Sequence, residues 1–172
     1  MPNPYLTLVD SWKDLPPGVG WSEPHPDDGG LEIYAPLDIA GVTVGNFALR
    51  ATCFEHSPDK AVMFQLETGI PGERRRQPLT RIDWNPLSNF HKNPPEGPQR
   101  IRRIITGSHH HPLEANWLEK GGRMRMSNLP VAEALNPNPA NFAELLDLVG
   151  KLFRINNIGI IPGPEWSLKL VF

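Results

Sequence analysis

The sequence predicts an α+β fold, an antiparallel sheet with one main helix packed on one face. Three features carry this prediction: a high proline content, several segments that alternate apolar and polar residues, and one amphipathic segment near the C-terminus. Prolines account for 20 of the 172 residues, which excludes a bundle of long helices because proline removes a backbone donor and breaks helices. The alternation predicts strands, and the amphipathic segment predicts the helix.

The predicted strands form a four-stranded meander. Alternation begins at Leu31 and continues to residue 38, and three further strands are predicted at residues 42–54, 61–68 and 79–84. Short turns separate these segments, so neighbouring strands are expected to pair antiparallel. Residues 100–106 carry a further short strand signal. Residues 165–172 alternate again, which predicts a C-terminal strand that rejoins the sheet.

The helix is predicted at residues 140–154, where apolar side chains recur at spacings of three and four. Asn138 is expected to cap it, with Pro139 in the first turn, and it is expected to end near Asn156 and Asn157. Residues 1–30 are rich in proline and glycine and predict an extended or irregular N-terminal segment. Residues 31–172 are then expected to form a single α+β domain.

Charge is unevenly distributed along the chain. Residues 1–73 hold three basic against eleven acidic side chains, whereas residues 74–125 hold eleven basic against four acidic ones. A basic stretch within an acidic protein is typical of contact with a polyanion or an acidic partner, and it is equally compatible with a solvated loop neutralised within the fold. Four of the six histidines lie in this basic stretch.

Candidate functional residues occur in three short motifs. Arg81 and Asp83 share one face of the fourth predicted strand, because side chains alternate along a strand. His91 and Asn93 follow eight to ten residues later and point the same way if the segment is extended. The run Ser108-His109-His110-His111 places His109 and His111 on one face of an extended segment and His110 on the other.

Two chemistries suit these residues. His109 and His111 are candidates for a general acid and base, since imidazole titrates near neutrality. Alternatively, His91, His109 and His111 are candidate metal ligands, although their spacing matches no established zinc signature. Asn93 and five arginines are candidate substrate-binding residues near them: Arg100, Arg102, Arg103, Arg123 and Arg125. A surface ion pair between Arg81 and Asp83, and a surface turn of histidines, are the non-functional alternatives.

The order of these motifs resembles a group of small uncharacterised prokaryotic proteins that show R-x-D, H-x-N and H-x-H in that order. The resemblance covers residues 79–161, about half of the chain. Some relatives in that group are toxins of toxin–antitoxin pairs, and others are encoded by phages or mobile elements. The resemblance therefore implies a shared site at the motif positions and, as a partner, an antitoxin or another protein. Two departures are an insertion between His91 and His109 and the displacement of the usual aromatic residue to Trp117.

Three hypotheses on function follow. The first is a metal-independent nucleic-acid-cleaving enzyme, a ribonuclease-like toxin that uses His109 and His111, with Arg81 or Arg103 stabilising phosphate. The second is a non-catalytic interaction protein of phage or defence origin that binds protein or nucleic acid. The third is a metal-dependent enzyme with histidine ligands. No cofactor-binding motif is present, so no cofactor is expected outside the third hypothesis.

The same sequence predicts no membrane partner and a cytoplasmic location. No apolar run approaches the length of a membrane-spanning helix, and the first ten residues lack the pattern of a secretory signal. The single cysteine, Cys53, cannot form an internal disulfide and is expected to be a small core residue.

Overall fold

A computed structural model describes residues 2–88 and 90–167 of the chain. In chain order its elements are α1 (Leu6–Asp10), β1 (Gly30–Ile39), β2 (Val42–Phe54), β3 (Val62–Gly69), β4 (Arg76–Trp84), β5 (Phe90–Lys92), β6 (Ile104–Thr106), β7 (His109–His111), α2 (Leu113–Asn116), β8 (Trp117–Leu118), β9 (Arg123–Met124), β10 (Glu133–Ala134) and α3 (Phe142–Phe153). Six of these strands form one antiparallel sheet in the order β1-β2-β3-β4-β7-β10. Two small hairpins, β5 with β6 and β8 with β9, lie beside it. The fold class is therefore α+β, as predicted.

The predicted four-stranded meander is confirmed as β1 to β4. Strand β2 has the predicted bounds, whereas β4 begins at Arg76, three residues earlier than predicted. Pro78 was a turn signal in the sequence, yet it lies where the register between β3 and β4 shifts, opposite Glu67. An irregularity of this kind accommodates a residue that lacks a backbone donor. The predicted C-terminal strand is not seen at residues 165–167, and residues 168–172 lie outside the described part of the chain.

Helix α3 is confirmed, but it begins later than predicted because a different residue caps it. The Asn141 side chain accepts a hydrogen bond from the Glu144 backbone N–H at 2.9 Å, and the Glu144 carboxylate accepts one from the Ala140 N–H at 2.8 Å. This reciprocal pair is stronger than the cap predicted at Asn138. The helix ends at Phe153, and the next residue, Arg154, caps it with a φ of 52° in the left-handed region.

The two faces of the sheet have different roles. Ile82 and Trp84 of β4 lie on the face covered by α3, and the Trp84 indole donates to the Pro139 carbonyl just before that helix. Phe142 of α3 packs against Phe64 of β3. Arg81 and Asp83, the alternate residues of β4, therefore lie on the opposite face. Side-chain alternation thus separates the apolar core from a polar face.

The histidine run forms strand β7, which the sequence did not predict as part of the main sheet. Its register on β4 pairs Arg81 with His111 and Asp83 with His109. His91 lies on β5, opposite Ile105 of β6. The strand predicted at residues 100–106 is confined to β6, because residues 100–103 belong to the turn that enters it.

The N-terminal segment packs into the domain. Val9 and Leu15 are buried in the core, and the Lys13 backbone N–H donates to the carbonyl of Arg154. The Lys13 side chain is fully buried, and its ammonium donates to the carbonyls of Val9 and Phe153. Within residues 2–88 and 90–167 no helix has both the length and the apolar character needed to cross a membrane.

Burial of Lys13 makes stability depend on pH in the alkaline range. Burial, with a smaller effect of the Arg154 charge, lowers the pKa of Lys13 from 10.5 to about 8. Between these two values the unfolded chain binds more protons than the folded one, so the free energy of unfolding rises with pH there. The full effect corresponds to about 3 kcal/mol. Lys13→Met removes the titrating group. We therefore expect the free energy of unfolding of the natural chain, measured by urea denaturation, to increase relative to that of Lys13→Met as the pH rises from 8 to 10.5. A constant difference across that range would contradict the prediction.

Candidate metal centre

Three histidines meet on the polar face of the sheet. His109 and His111 come from β7, and His91 reaches them from β5. One ring nitrogen from each of the three lies within 4.8 Å of the others. The three ring centroids are 4.9 to 5.1 Å apart. The insertion between His91 and His109 in the sequence therefore does not separate them in space.

Each of the three rings is oriented by a backbone carbonyl. His109 Nδ1 lies 2.8 Å from the Gly107 oxygen, His111 Nδ1 lies 2.6 Å from the Leu129 oxygen, and His91 Nε2 lies 2.9 Å from the Pro130 oxygen. A carbonyl oxygen only accepts hydrogen bonds, so these contacts assign the ring proton to the nitrogen that faces the carbonyl. In a neutral ring the other nitrogen then carries a lone pair. His109 Nε2, His111 Nε2 and His91 Nδ1 are the three nitrogens that these carbonyls do not engage.

Asp83 and Arg81 complete the group. Asp83 Oδ2 lies 3.0 Å from His111 Nε2 and 3.4 Å from His109 Nε2. Arg81 Nε donates to the same oxygen at 2.9 Å, and Arg81 Nη2 lies 3.1 Å from His111 Nε2. The His111 side chain has no exposed surface and that of His109 is 8% exposed, against 23% for Asp83. The carboxylate therefore lies on the solvent side of the group.

The electrostatics of the group favour an added cation. Burial acts to raise the pKa of Asp83, but the contacts with His109 and His111 and the Arg81 charge outweigh it and hold the pKa well below its usual range. Burial lowers the pKa of His111 to about 4, against the opposing effect of Asp83. The carboxylate is then ionised and His111 is neutral at pH 7. His109 Nε2, His111 Nε2 and Arg81 thus all lie beside one ionised carboxylate oxygen, where a bound cation would gain a negatively charged neighbour.

A short irregular segment, residues 129–132, supplies the carbonyls that orient two of the rings. Its first residue, Leu129, is buried and follows Ser127 and Asn128, and all three have φ between 55° and 74°. Non-glycine residues with such angles cost of order 1 kcal/mol each and persist only where surrounding contacts hold them. The Leu129 and Pro130 carbonyls accept from His111 and His91. Local strain is thus held in place next to the histidine group.

Two buried asparagines hold the other half of the 129–132 segment. The Asn116 side chain donates to the Val131 carbonyl at 2.8 Å and accepts from the Val131 N–H at 2.9 Å. The Asn93 side chain makes the same pair of bonds to Ala132, at 2.9 and 2.7 Å, and also donates to the Arg102 carbonyl at 2.7 Å. Both amides are therefore engaged with the backbone behind the histidines rather than facing solvent.

The structure thus brings together five of the residues selected from the sequence, Arg81, Asp83, His91, His109 and His111, and leaves the other six elsewhere. Asn93 is the buried support just described, and Arg102 and Arg103 have exposed side chains and contribute backbone carbonyls to residue 93. Arg100 pairs with Glu133 at 3.0 Å. Arg123 and Arg125 lie on and after β9. In the described part of the chain no hydrogen bond or ion pair joins these five arginines to the histidines.

Sequence reasoning missed the supports of the site. Asn116 and the carbonyls of Leu129 and Pro130 were not candidates, and the carbonyls carry no residue-type signal at all. For Asn116 a signal did exist: a lone asparagine within an apolar stretch has to satisfy its amide when buried. His110 points to the opposite face, where its Nε2 contacts the Thr80 hydroxyl at 2.8 Å.

Comparison of the chain with protein-family models, with curated proteins and with solved structures gives no significant match. The relationship to toxin and phage proteins suggested by the R-x-D, H-x-N and H-x-H motifs stays a prediction. The chemistry of the site is therefore argued from its own geometry.

The support role of Asn93 predicts a large loss of stability on truncation. Asn93→Ala removes three hydrogen bonds and leaves the Ala132 N–H and two carbonyls without their partner in a buried region. We expect the free energy of unfolding, measured by urea denaturation, to fall by about 2–4 kcal/mol. Asn138→Ala is the control, because this exposed side chain makes one hydrogen bond to Asn85 and should cost under about 0.5 kcal/mol. Equal losses in the two variants would contradict the support role.

Proposed function

We propose that the protein is a divalent-metal-dependent hydrolase whose metal is bound by His91, His109 and His111. One observation carries this proposal: one nitrogen of each ring contacts a backbone carbonyl, and one nitrogen from each of the three rings lies within 4.8 Å of the others. Metal-binding histidines in proteins typically donate their second ring nitrogen in this way, which fixes the tautomer and the ring orientation. Three separate backbone acceptors serving three neighbouring rings are difficult to explain as surface packing.

The donor set fits zinc. Zinc binds imidazole nitrogens at about 2.0–2.1 Å in tetrahedral geometry, so neighbouring ligand atoms lie about 3.3 Å apart. The three histidine nitrogens lie within 4.8 Å of one another and would move closer together to reach that spacing. A bound metal would replace Arg81 Nη2 at His111 Nε2, whereas the Arg81 contact with Asp83 could remain. Three protein ligands leave one position open, as in catalytic rather than structural zinc sites.

Asp83 and Arg81 have the positions that hydrolysis requires. A metal at the three histidines would lower the pKa of a coordinated water. Asp83 lies on the solvent side of the group, next to two of the ligand nitrogens, where its carboxylate would accept a hydrogen bond from that water and orient it. The Arg81 guanidinium, which also holds Asp83, would stabilise negative charge on an ester bound beside that carboxylate. The favoured substrate is therefore an anionic ester.

The same geometry gives less support to the metal-free mechanism. A general acid has to present an N–H to the substrate, whereas His109 and His111 direct theirs to backbone carbonyls. His111 is in addition fully buried, so it lacks the access that a proton shuttle to substrate needs. N–H groups directed at backbone carbonyls and a buried ring are both compatible with histidines that act as metal ligands.

Zinc binding tests the proposal directly. We expect metal-free protein to bind one equivalent of Zn²⁺ in isothermal titration calorimetry, and His109→Gln or His111→Gln to weaken binding at least 100-fold. Asp83→Asn should retain one equivalent of zinc, and it should lose zinc-dependent hydrolysis of the model diester bis(p-nitrophenyl) phosphate.

His110→Gln provides the matched control. It lies between the two ligands on β7 but faces Thr80, and glutamine can keep that hydrogen bond. Its zinc affinity should match that of the natural chain. The absence of stoichiometric binding, or an equal loss in His110→Gln and His109→Gln, would overturn the metal site. Circular dichroism of each variant establishes that the fold is retained.

A further inference from the structure

A cavity with a volume of about 540 Å³ lies at the N-terminal end of β4. Its described lining residues include four arginines and no acidic residue; the arginines are Arg75, Arg76, Arg123 and Arg125. Tyr5 and Trp117 also line it, with their rings in an edge-to-face contact at 6.0 Å. This cavity, called the arginine cavity below, therefore combines guanidinium groups with aromatic side chains.

Protein contacts hold two of the arginines in place and neutralise them to different extents. Arg76 pairs with the buried Glu67 carboxylate at 2.6 Å, so its charge is largely compensated. Arg125 instead donates to two backbone carbonyls, which are neutral acceptors, those of Ala115 at 3.0 Å and Glu96 at 3.4 Å. A guanidinium fixed by neutral carbonyls is a preorganised anion-binding group.

The other two arginines are accessible. Arg75 is 81% exposed and pairs with the partly exposed carboxylate of Glu73 at 3.0 Å. Arg123 is also exposed. Arg75 and Arg123 are therefore the arginines of the cavity wall that a ligand from solvent reaches first.

The arginine cavity adjoins the histidine group. Pro78 lines the cavity, and Arg81 is three residues further along β4, a separation of about 10 Å in an extended strand. Asn128 also lines the cavity, and the next residue, Leu129, orients His111. A polar row on the same face connects the two sites, since Gln65 lies opposite Arg81 and donates to Glu67, the partner of Arg76.

We propose that the arginine cavity binds the phosphate backbone of single-stranded nucleic acid, so that the anionic ester presented to the histidine group is a phosphodiester of that strand. Guanidinium forks match phosphate oxygens, and several of them along one wall suit a chain of phosphates. Aromatic side chains beside them suit unpaired bases, which stack on such surfaces. The cleavage part rests on the proposed hydrolase function, whereas strand binding does not require the metal.

Fluorescence anisotropy with a 5′-labelled eight-nucleotide uridine RNA tests strand binding. We expect the double variant Arg75→Gln/Arg123→Gln to bind at least tenfold more weakly at 50 mM NaCl than the natural chain. The slope of log affinity against log salt should also fall by about 1.4, because single-stranded contacts contribute about 0.7 per phosphate neutralised. Circular dichroism of the double variant establishes its fold, and Arg123→Gln alone should give about half of the change in slope.

The controls distinguish this inference from the proposed function. Arg100→Gln removes a charge that, like Arg75, is exposed and paired with one carboxylate, yet it lies outside the cavity and should change affinity less than twofold. His109→Gln should retain RNA binding even though it loses zinc, so failure of the metal site leaves strand binding measurable. Unchanged affinity in the double variant would overturn the proposal. So would displacement of the RNA by polyglutamate as effectively as by unlabelled RNA, which would indicate an acidic protein as the partner.

Discussion

Hydrogen bonds between four side chains and the backbone of residues 129–132 are the constraint on which the candidate site depends. His111 and His91 donate to its first two carbonyls, and Asn116 and Asn93 pair with both polar groups of its last two residues. The four side chains come from different parts of the chain. Buried backbone groups need partners, and this irregular segment has no strand neighbour at these residues to supply them. The orientation of the histidine rings and the conformation of residues 129–132 therefore depend on each other.

Much of the fold follows from local sequence pattern. Strands β1 to β4 alternate apolar and polar residues and are separated by short turns, so both their existence and their pairing were predictable. Helix α3 was predictable for the same reason, because Leu145, Val149 and Phe153 recur on one stripe. Only its first residues were misplaced, since two asparagines competed as caps and the one followed three residues later by Glu144 prevailed.

For the candidate site too, local features were predictable from the sequence and long-range contacts were not. Strand alternation was enough to place Arg81 with Asp83 and His109 with His111. The pairing of β7 with β4 was not predictable, because three histidines carry no apolar pattern and their partner lies 28 residues away in sequence. The role of Asn93 was also beyond the sequence: an H-x-N motif does not reveal that its amide is turned inward to the Arg102 and Ala132 carbonyls. Both features depend on hydrogen bonds to backbone groups far away in sequence. Every residue carries such backbone groups, so residue type does not reveal them.

The spacing of the ring and amide contacts along the chain also sets the order in which the molecule can fold. The meander joins neighbouring strands through short loops, whereas His91 contacts a carbonyl 39 residues later and His111 one 18 residues later. Closing the longer loops costs more chain entropy, and contacts between distant residues form later. During synthesis, the four-stranded meander is available before the Leu129 and Pro130 carbonyls exist. The histidine rings therefore acquire their final orientation only in a chain that has folded through Ala132, which makes an ordered histidine group a marker of completed folding.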